Sequence, residues 1–151
     1  MHPQPIAAHT GGDPLPIHQL ALTGQYSAEY ARRAGDDLEV FTRKGIVHPA
    51  VWPALANYVF HRDLVRGAWV HTRSVIRHHG LAAEGAMATI SGEVVDRFER
   101  RSGTRAVAHL RIEVEGHPIA TLEHEAIIEL PTPDPAPAAD SAADPSPKFR
   151  T

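Results

Sequence analysis

The sequence lacks cysteine altogether among its 151 residues. That absence excludes a disulfide framework, a thiolate zinc site and a cysteine nucleophile. No apolar run approaches the ~20 residues that a membrane-spanning helix needs, and the N-terminus lacks the basic-then-apolar pattern of a signal peptide. The formal net charge of −3 argues against a general nucleic-acid-binding protein. We therefore expect a cytoplasmic protein that binds neither nucleic acid nor membrane.

The composition that is present predicts one folded domain between two weakly patterned ends. Hydrophobic residues make up 42% of the chain, which is enough for a core. Residues 1–14 have little pattern, and we expect a flexible N-terminus. Residues 131–151 are rich in proline, alanine and aspartate, and we expect a disordered tail. Residues 15–130 remain as a single domain of ordinary size.

The hydrophobic pattern of this domain predicts one buried helix and several long strands. Ser27 is a suitable N-cap for a short helix that Gly35 ends. Residues 50–60 are apolar on every face apart from Asn57, which is typical of a helix that is surrounded by other elements. Alternating patterns predict strands over 15–23, 69–79, 86–99, 106–115 and 119–130. The economical arrangement is an α+β fold in which a curved antiparallel sheet wraps around the central helix.

Two local motifs resemble the MaoC-like hydratase/dehydratase family, which has the hot-dog fold. "YARRAGD", which ends at Asp36, is similar to the family's opening motif Y-A-x-x-[ST]-G-D. "VHPAVWPALAN", which ends at Asn57, stands where the family begins its central helix. The last strands resemble the strand meander of that family. The resemblance covers most of residues 15–130 and implies a single hot-dog domain.

The resemblance also implies a catalytic site, but the motif is incomplete in this chain. In the family, the aspartate of the motif and a histidine five residues later activate water for addition to the double bond of an enoyl thioester, or catalyse the reverse dehydration. Asp36 matches that aspartate, whereas Phe41 stands in the histidine position. Leu38 and Glu39 replace the asparagine and proline that normally lie between them. A phenyl ring cannot transfer a proton, so the usual pair is broken.

His48 is the candidate to replace the missing histidine, because it directly precedes the buried helix. The alternative is an ordinary loop histidine or helix cap. The first free amides of that helix, at Ala50 and Val51, are candidate donors to the thioester oxygen. Asp36 itself has an alternative interpretation, since Gly-Asp-Asp is also good turn chemistry.

Further candidate substrate-binding residues lie outside this motif. Phe41 suits an acyl chain, and Asn57 either lines an acyl tunnel or bonds a strand backbone. By strand alternation His71, Arg73 and Arg77 share one face, which is either plain surface or a basic rim for the phosphates of coenzyme A or phosphopantetheine. The histidines are not at metal-ligand spacing, and we expect neither a metal nor a cofactor.

The family resemblance and its incomplete catalytic motif leave three possible functions. The first is an (R)-specific enoyl-CoA hydratase/dehydratase-like lyase that acts on acyl-CoA or acyl-carrier-protein thioesters. The second is a non-catalytic hot-dog subunit that binds the acyl chain beside a catalytic partner. The third is a hot-dog acyl-CoA thioesterase. Because hot-dog sheets commonly pair edge to edge, we expect a homodimer or a heterodimer with another hot-dog chain.

Overall fold

The computed structural model of the protein describes residues 12–132. The predictions for residues 1–11 and for the tail beyond residue 132 lie outside the described residues. Among the described residues, the first strand begins at Asp13, two residues before the expected start of the domain at residue 15. In chain order the elements are β1 (Asp13–Pro14), β2 (His18–Ala21), α1 (Gly24–Arg33), α2 (Val40–Lys44), α3 (Val51–Asp63), β3 (Val70–His78), β4 (Met87–Arg100), β5 (Gly103–Val114) and β6 (His117–Glu129).

The strands form a single antiparallel sheet against which α3 packs. The strand order is β1-β4-β5-β6-β3, and β2 also pairs with β4. The three long strands β4, β5 and β6 are joined in sequence as two antiparallel hairpins, and β3 pairs with β6 at one end of the sheet. Leu55, Val59 and Phe60 of α3 are completely or almost completely buried in the core. The predicted α+β fold, a curved sheet around a buried helix, is confirmed.

Helix α1 begins earlier than predicted. Its N-cap is Thr23, whose hydroxyl accepts the N–H of Tyr26 at 3.1 Å. Threonine is almost as good an N-cap as serine, so the chain enters the helix one turn sooner. Ser27 therefore lies inside the helix and is buried, which leaves its hydroxyl available for another partner. The predicted end is confirmed, since Gly35 takes the left-handed conformation (φ 73°) after the last turn.

Helix α2 lies in a segment for which the sequence pattern predicts neither a helix nor a strand. It has five residues, and Gly45 ends it in the left-handed conformation (φ 60°). A helix of little more than one turn is too short to produce a periodic hydrophobic pattern. This turn of helix is nevertheless important, because it sets the position of Phe41.

A bulge in β3 places His71 on the opposite face of the strand from Arg73 and Arg77. The register with β6 shifts between His71 and Arg73. A bulge adds one residue to one strand and reverses the faces of the residues before it. His71 consequently stacks on His124 beside α3, whereas Arg73 pairs with Glu123 on the opposite face. The prediction that His71 shares a face with Arg73 and Arg77 is wrong.

Among residues 12–132, none of the helices has the length and apolar character needed to cross a membrane.

Candidate functional site

The candidate site lies where α1 ends and α3 begins. The turn at Gly35 brings Asp36 out of α1, and its Oδ1 accepts the N–H of Leu38 at 2.9 Å. This bond closes a local turn that fixes the carboxyl group. The Asp36 side chain is 27% exposed and lines an open groove of about 450 Å³ together with Arg32, Leu38 and Thr42. Asp36 is thus accessible to a small ligand or to water.

His48 holds the second oxygen of this carboxylate. Its Nε2 lies 2.9 Å from Oδ2 of Asp36. Its Nδ1 accepts the N–H of Ala50 at 3.0 Å. Since Nδ1 is an acceptor, the proton of the neutral ring is on Nε2, which donates to Asp36. The backbone N–H of His48 donates to the hydroxyl of Ser27 at 2.8 Å. The imidazole is therefore buried and fixed in one orientation.

These hydrogen bonds determine the charge of Asp36. The pKa of the Asp36 carboxyl is lowered, first by the hydrogen bond from His48 and then by the backbone N–H of Leu38. The group is consequently a carboxylate at neutral pH. Each carboxylate oxygen can accept more than one hydrogen bond. Asp36 can therefore accept a further bond from a water molecule in the groove and orient that water.

Phe41 packs directly on the histidine of this pair. The two ring centroids are 4.7 Å apart at an interplanar angle of 67°, an edge-to-face contact. Helix α2 thus brings the residue that occupies the expected histidine position against His48 itself. The imidazole of His48 contacts Phe41 and at the same time keeps its hydrogen bond to Asp36.

The helix amides expected to bind a thioester oxygen are already bonded within the chain. The Ala50 N–H donates to His48 Nδ1, and the Val51 N–H donates to the His48 carbonyl at 3.1 Å. A donor with such a partner is not available to a ligand without breaking that bond. The prediction of Ala50 and Val51 as thioester-binding amides conflicts with the structure for this reason.

The other predicted binding residues lie apart from Asp36. The Oδ1 of Asn57 accepts the Nε2–H of His124 at 3.0 Å, so its partner is a side chain rather than a strand backbone. Arg73 forms an ion pair with Glu123, and Arg77, two residues further along β3, shares that outer face of the sheet. Helix α3 and Asp36 lie on the inner side. Arg73 and Arg77 therefore do not join the candidate site, and Asn57 is engaged by His124 instead.

A second polar array crosses the core. The Ser74 hydroxyl donates to Nδ1 of His124 at 2.6 Å, and His124 donates to Asn57. This is the connectivity of a nucleophilic triad. However, burial and then the neighbouring His71 lower the pKa of His124 to about 3. The lowered pKa makes this ring a weaker general base than an ordinary histidine, and the array cross-links β3, β6 and α3.

Sequence reasoning selected Asp36 and His48 but missed the residues that fix them. Ser27 was predicted to be an N-cap, so its hydrogen bond with the N–H of His48 was not anticipated.

His124, in the second polar array, follows the inward alternation of Leu122 and Ala126 on β6 and is fully buried with them. Its position was therefore predictable, although its polar side chain concealed the pattern.

Comparison with known proteins establishes the fold. The sequence matches no known family profile and no curated protein sequence. Solved structures do match. An (R)-hydratase from A. caviae involved in PHA biosynthesis is 17% identical, with a TM-score of 0.63 over 83% of this chain and 99% of that one.

Two further structures differ in their activities. The HadBC (3R-hydroxyacyl-ACP dehydratase) complex from Mycobacterium tuberculosis is 15% identical, with a TM-score of 0.58 over 78% of this chain and 97% of that one. The fluoroacetyl-CoA-specific thioesterase FlK is 12% identical, with a TM-score of 0.60 over 79% of this chain and 94% of that one. Together these similarities show that the chain has the hot-dog fold, as the resemblance implied.

Proposed function

We propose that the protein is a MaoC-like enoyl-thioester hydratase or 3-hydroxyacyl-thioester dehydratase in which His48 takes the place of the missing motif histidine. The observation that carries this proposal is the 2.9 Å hydrogen bond between His48 Nε2 and Asp36 Oδ2. It gives Asp36 a histidine partner although Phe41 occupies the motif position. The structural similarity to an (R)-hydratase and to a dehydratase supports the same chemistry.

In this proposal Asp36 carries the proton transfers. For hydration, the carboxylate accepts a proton from a water molecule as the water oxygen forms a bond to Cβ of the enoyl thioester. The electron pair of the double bond moves to Cα, which takes the proton from the carboxyl group of Asp36, so the carboxylate is restored. Dehydration reverses these steps, with a proton leaving Cα and the hydroxyl leaving Cβ as water. A positioned carboxylate typically contributes a ~10²–10⁴-fold rate increase in such steps.

His48 acts through Asp36 in this mechanism. Both of its ring nitrogens are already engaged, since Nδ1 accepts from Ala50 and Nε2 donates to Asp36. It has no free lone pair with which to take a proton from substrate or water. Its role is to orient the carboxylate and keep it ionised, so we describe it as a positioning residue.

The proposal is tested by following the loss of enoyl absorbance with short, medium and long enoyl-CoAs. Asp36→Asn should lower kcat by about 10²-fold or more, because the amide cannot accept the proton. His48→Ala should lower kcat less, because the carboxylate remains but is no longer held. Asp37→Asn is the matched control, since it removes an adjacent carboxylate that has no hydrogen bond to His48, and it should leave the rate within about twofold.

A rate that is unaffected by Asp36→Asn would discard this mechanism. Thioester hydrolysis is the second candidate, because a water oriented by Asp36 could instead attack the thioester carbonyl. The structural similarity to the thioesterase FlK is the observation that favours it. Free thiol release, measured with a thiol-reactive dye, separates the two reactions, since hydration releases no thiol.

A non-catalytic role is the third candidate, and Phe41 is the residue that favours it. The phenyl ring removes the motif histidine and adds apolar surface beside the site. The chain would then bind an acyl group while a second hot-dog chain supplies the proton transfers. Co-purification of a hot-dog chain with an intact aspartate–histidine motif, together with no activity of this chain alone, would establish that role.

A further inference from the structure

The phenyl ring in the motif-histidine position is in direct contact with the histidine that holds Asp36. We infer that Phe41 is a positioning residue, whose ring keeps the His48 imidazole in the orientation that donates to Asp36. A histidine restored at position 41 should therefore weaken the site rather than repair it. The inference rests on the proposed function in one respect, namely that the Asp36–His48 pair is the reactive one.

The hydrogen bonds of His48 fix only part of its orientation. Its Nδ1 accepts the N–H of Ala50, and its Nε2 donates to Asp36. Ring nitrogens form hydrogen bonds close to the plane of the imidazole. The two bonds therefore oppose sliding of the ring within its plane more strongly than tilting of the ring out of that plane. Packing against the ring has to oppose the tilt.

Phe41 supplies such a packing contact. Its ring centroid lies 4.7 Å from that of His48, at an interplanar angle of 67°. The ring quadrupoles favour an edge-to-face pair of this kind, which typically changes an equilibrium by about two- to tenfold. His48 is also 5% exposed, so little water reaches the imidazole to compete for its hydrogen bonds.

The backbone presents the phenyl ring from a fixed turn. The carbonyl of Phe41 accepts the N–H of Ile46 at 3.0 Å, which closes the end of α2. Ile46 in turn forms a β-bridge with Ala83 in the loop after β3. His48 follows two residues after this bridge. The contact between the two rings is therefore held by the local chain path as well as by the rings themselves.

A histidine at position 41 would meet surroundings that suit a phenyl ring. Besides contacting His48, the ring of Phe41 borders a small apolar space together with Val47 and Trp52. An imidazole would place two polar nitrogens beside this hydrocarbon, where a polar group without a hydrogen bond is costly. If the imidazole turned to the Asp36 carboxylate instead, it would compete with His48 for that group.

The protonation of the His48 ring nitrogens measures the positioning without any catalysis. Long-range proton–nitrogen correlation spectra of protein with isotope-labelled histidine distinguish protonated from unprotonated ring nitrogens, and His48→Ala identifies the His48 signals by their loss. The wild type should show a single tautomer with its proton on Nε2. Phe41→Leu should show both tautomers in exchange, because the ring contact is lost. Phe41→Tyr should restore the single tautomer, since it retains the ring.

Phe98→Leu is the matched control for Phe41→Leu. Phe98 is also partly buried, and it packs under the guanidinium group of Arg100 near the β4–β5 turn. This substitution should leave the His48 spectrum unchanged, and urea unfolding shows whether both variants are folded. A single Nε2-protonated tautomer in Phe41→Leu, as in the wild type, would overturn the positioning role.

Phe41→His tests the motif directly. Its hydration rate should be about two- to tenfold below that of the wild type, and its His48 signals should show the same mixture as in Phe41→Leu. A rate above that of the wild type would overturn the inference and would show that position 41 has simply lost a catalytic histidine.

The outcomes for Phe41 and for the proposed function are separable. Loss of the single His48 tautomer in Phe41→Leu, without any hydration of enoyl-CoA by the wild type, would support the positioning role and reject the proposed function. Hydration that depends on Asp36, together with an unchanged His48 spectrum in Phe41→Leu, would support the proposed function and reject the positioning role.

Discussion

At Asp36, acidity and geometry are controlled by the same contact. The hydrogen bond from His48 both orients the carboxylate and lowers its pKa. Both residues were selected from the sequence, Asp36 by a motif and His48 by its place before the buried helix. Their contact across twelve positions was only a hypothesis, because the path of the intervening chain depends on a short helix that has no sequence signature.

The pH dependence of activity should report this contact. Since the pKa of Asp36 is lowered, hydration should be independent of pH through neutrality and should fall only on the acid side, below the ordinary range of aspartate. In His48→Ala the acid limb should move to higher pH, because the main cause of the shift is gone. Asp37→Asn should keep the wild-type limb. A His48→Ala profile that coincides with the wild type would contradict the positioning role.

His124 should make the folded protein sensitive to acid for a different reason. Its pKa is near 3 in the folded state and 6.5 in the reference state, so the unfolded chain binds the additional proton. Stability is therefore complete above about pH 6.5 and declines as the pH falls toward 3. The loss from this residue alone should be about 2 kcal/mol between pH 6.5 and pH 5.

Urea unfolding at several pH values measures this loss. His124→Gln should be less stable at pH 7, because the fit with Ser74 and Asn57 is poorer, but its stability should decline less steeply between pH 6.5 and pH 5. His117→Gln, on the same strand but exposed, should keep the wild-type slope. Parallel slopes for the wild type and His124→Gln would show that His124 does not carry the acid sensitivity.

At the scale of elements, long periodic segments were predictable and their irregularities were not. The buried helix and the long strands were placed within a few residues, because their patterns extend over ten or more positions. The bulge in β3 and the start of α1 at Thr23 depend on single residues. A bulge leaves no mark on an alternating pattern that is already loose, so His71 was assigned to the same face as Arg73 and Arg77.

Helix α1 offers a pair of substitutions that separate stability from site geometry. Ser27→Ala leaves the buried N–H of His48 without its acceptor, which should cost about 1–3 kcal/mol and also lower the hydration rate. Thr23→Ala removes the N-cap of the same helix and should cost about 1 kcal/mol with little change in rate. Urea unfolding and the enoyl absorbance assay measure the two effects. Equal loss of rate in both variants would mean that Ser27 acts only through stability.

For the whole molecule, the end of the sheet at β3 offers an edge along which a second chain could pair. Strand β3 pairs with β6 on one side, and no strand within residues 12–132 covers the other side. An uncovered strand edge has backbone donors and acceptors available for pairing. Val70, on this strand, is 48% exposed. The proposed dimer, homomeric or heteromeric, would pair along this edge and cover Val70.

Sedimentation tests this assembly. A homodimer should have about twice the 16.4 kDa chain mass at micromolar concentration, and a heterodimer the sum of the two chain masses. Val70→Asp should shift the population toward monomer, because a charge would be buried at the paired edge. Met87→Asp is the matched control, since Met87 is 52% exposed on a different strand. Dissociation by Met87→Asp but not by Val70→Asp would place the interface elsewhere.

The contacts of His48 have a consequence for the cooperativity of the site. Through Ser27, Phe41 and Ala50 this one residue is bonded to α1, in contact with α2 and attached to the start of α3. Its displacement would free the end of α1, α2 and the first turn of α3 together, so these segments should open as a single unit in amide hydrogen exchange. Substitutions around His48 would then lower the fraction of molecules in which the site is assembled, in addition to changing the orientation and pKa of Asp36.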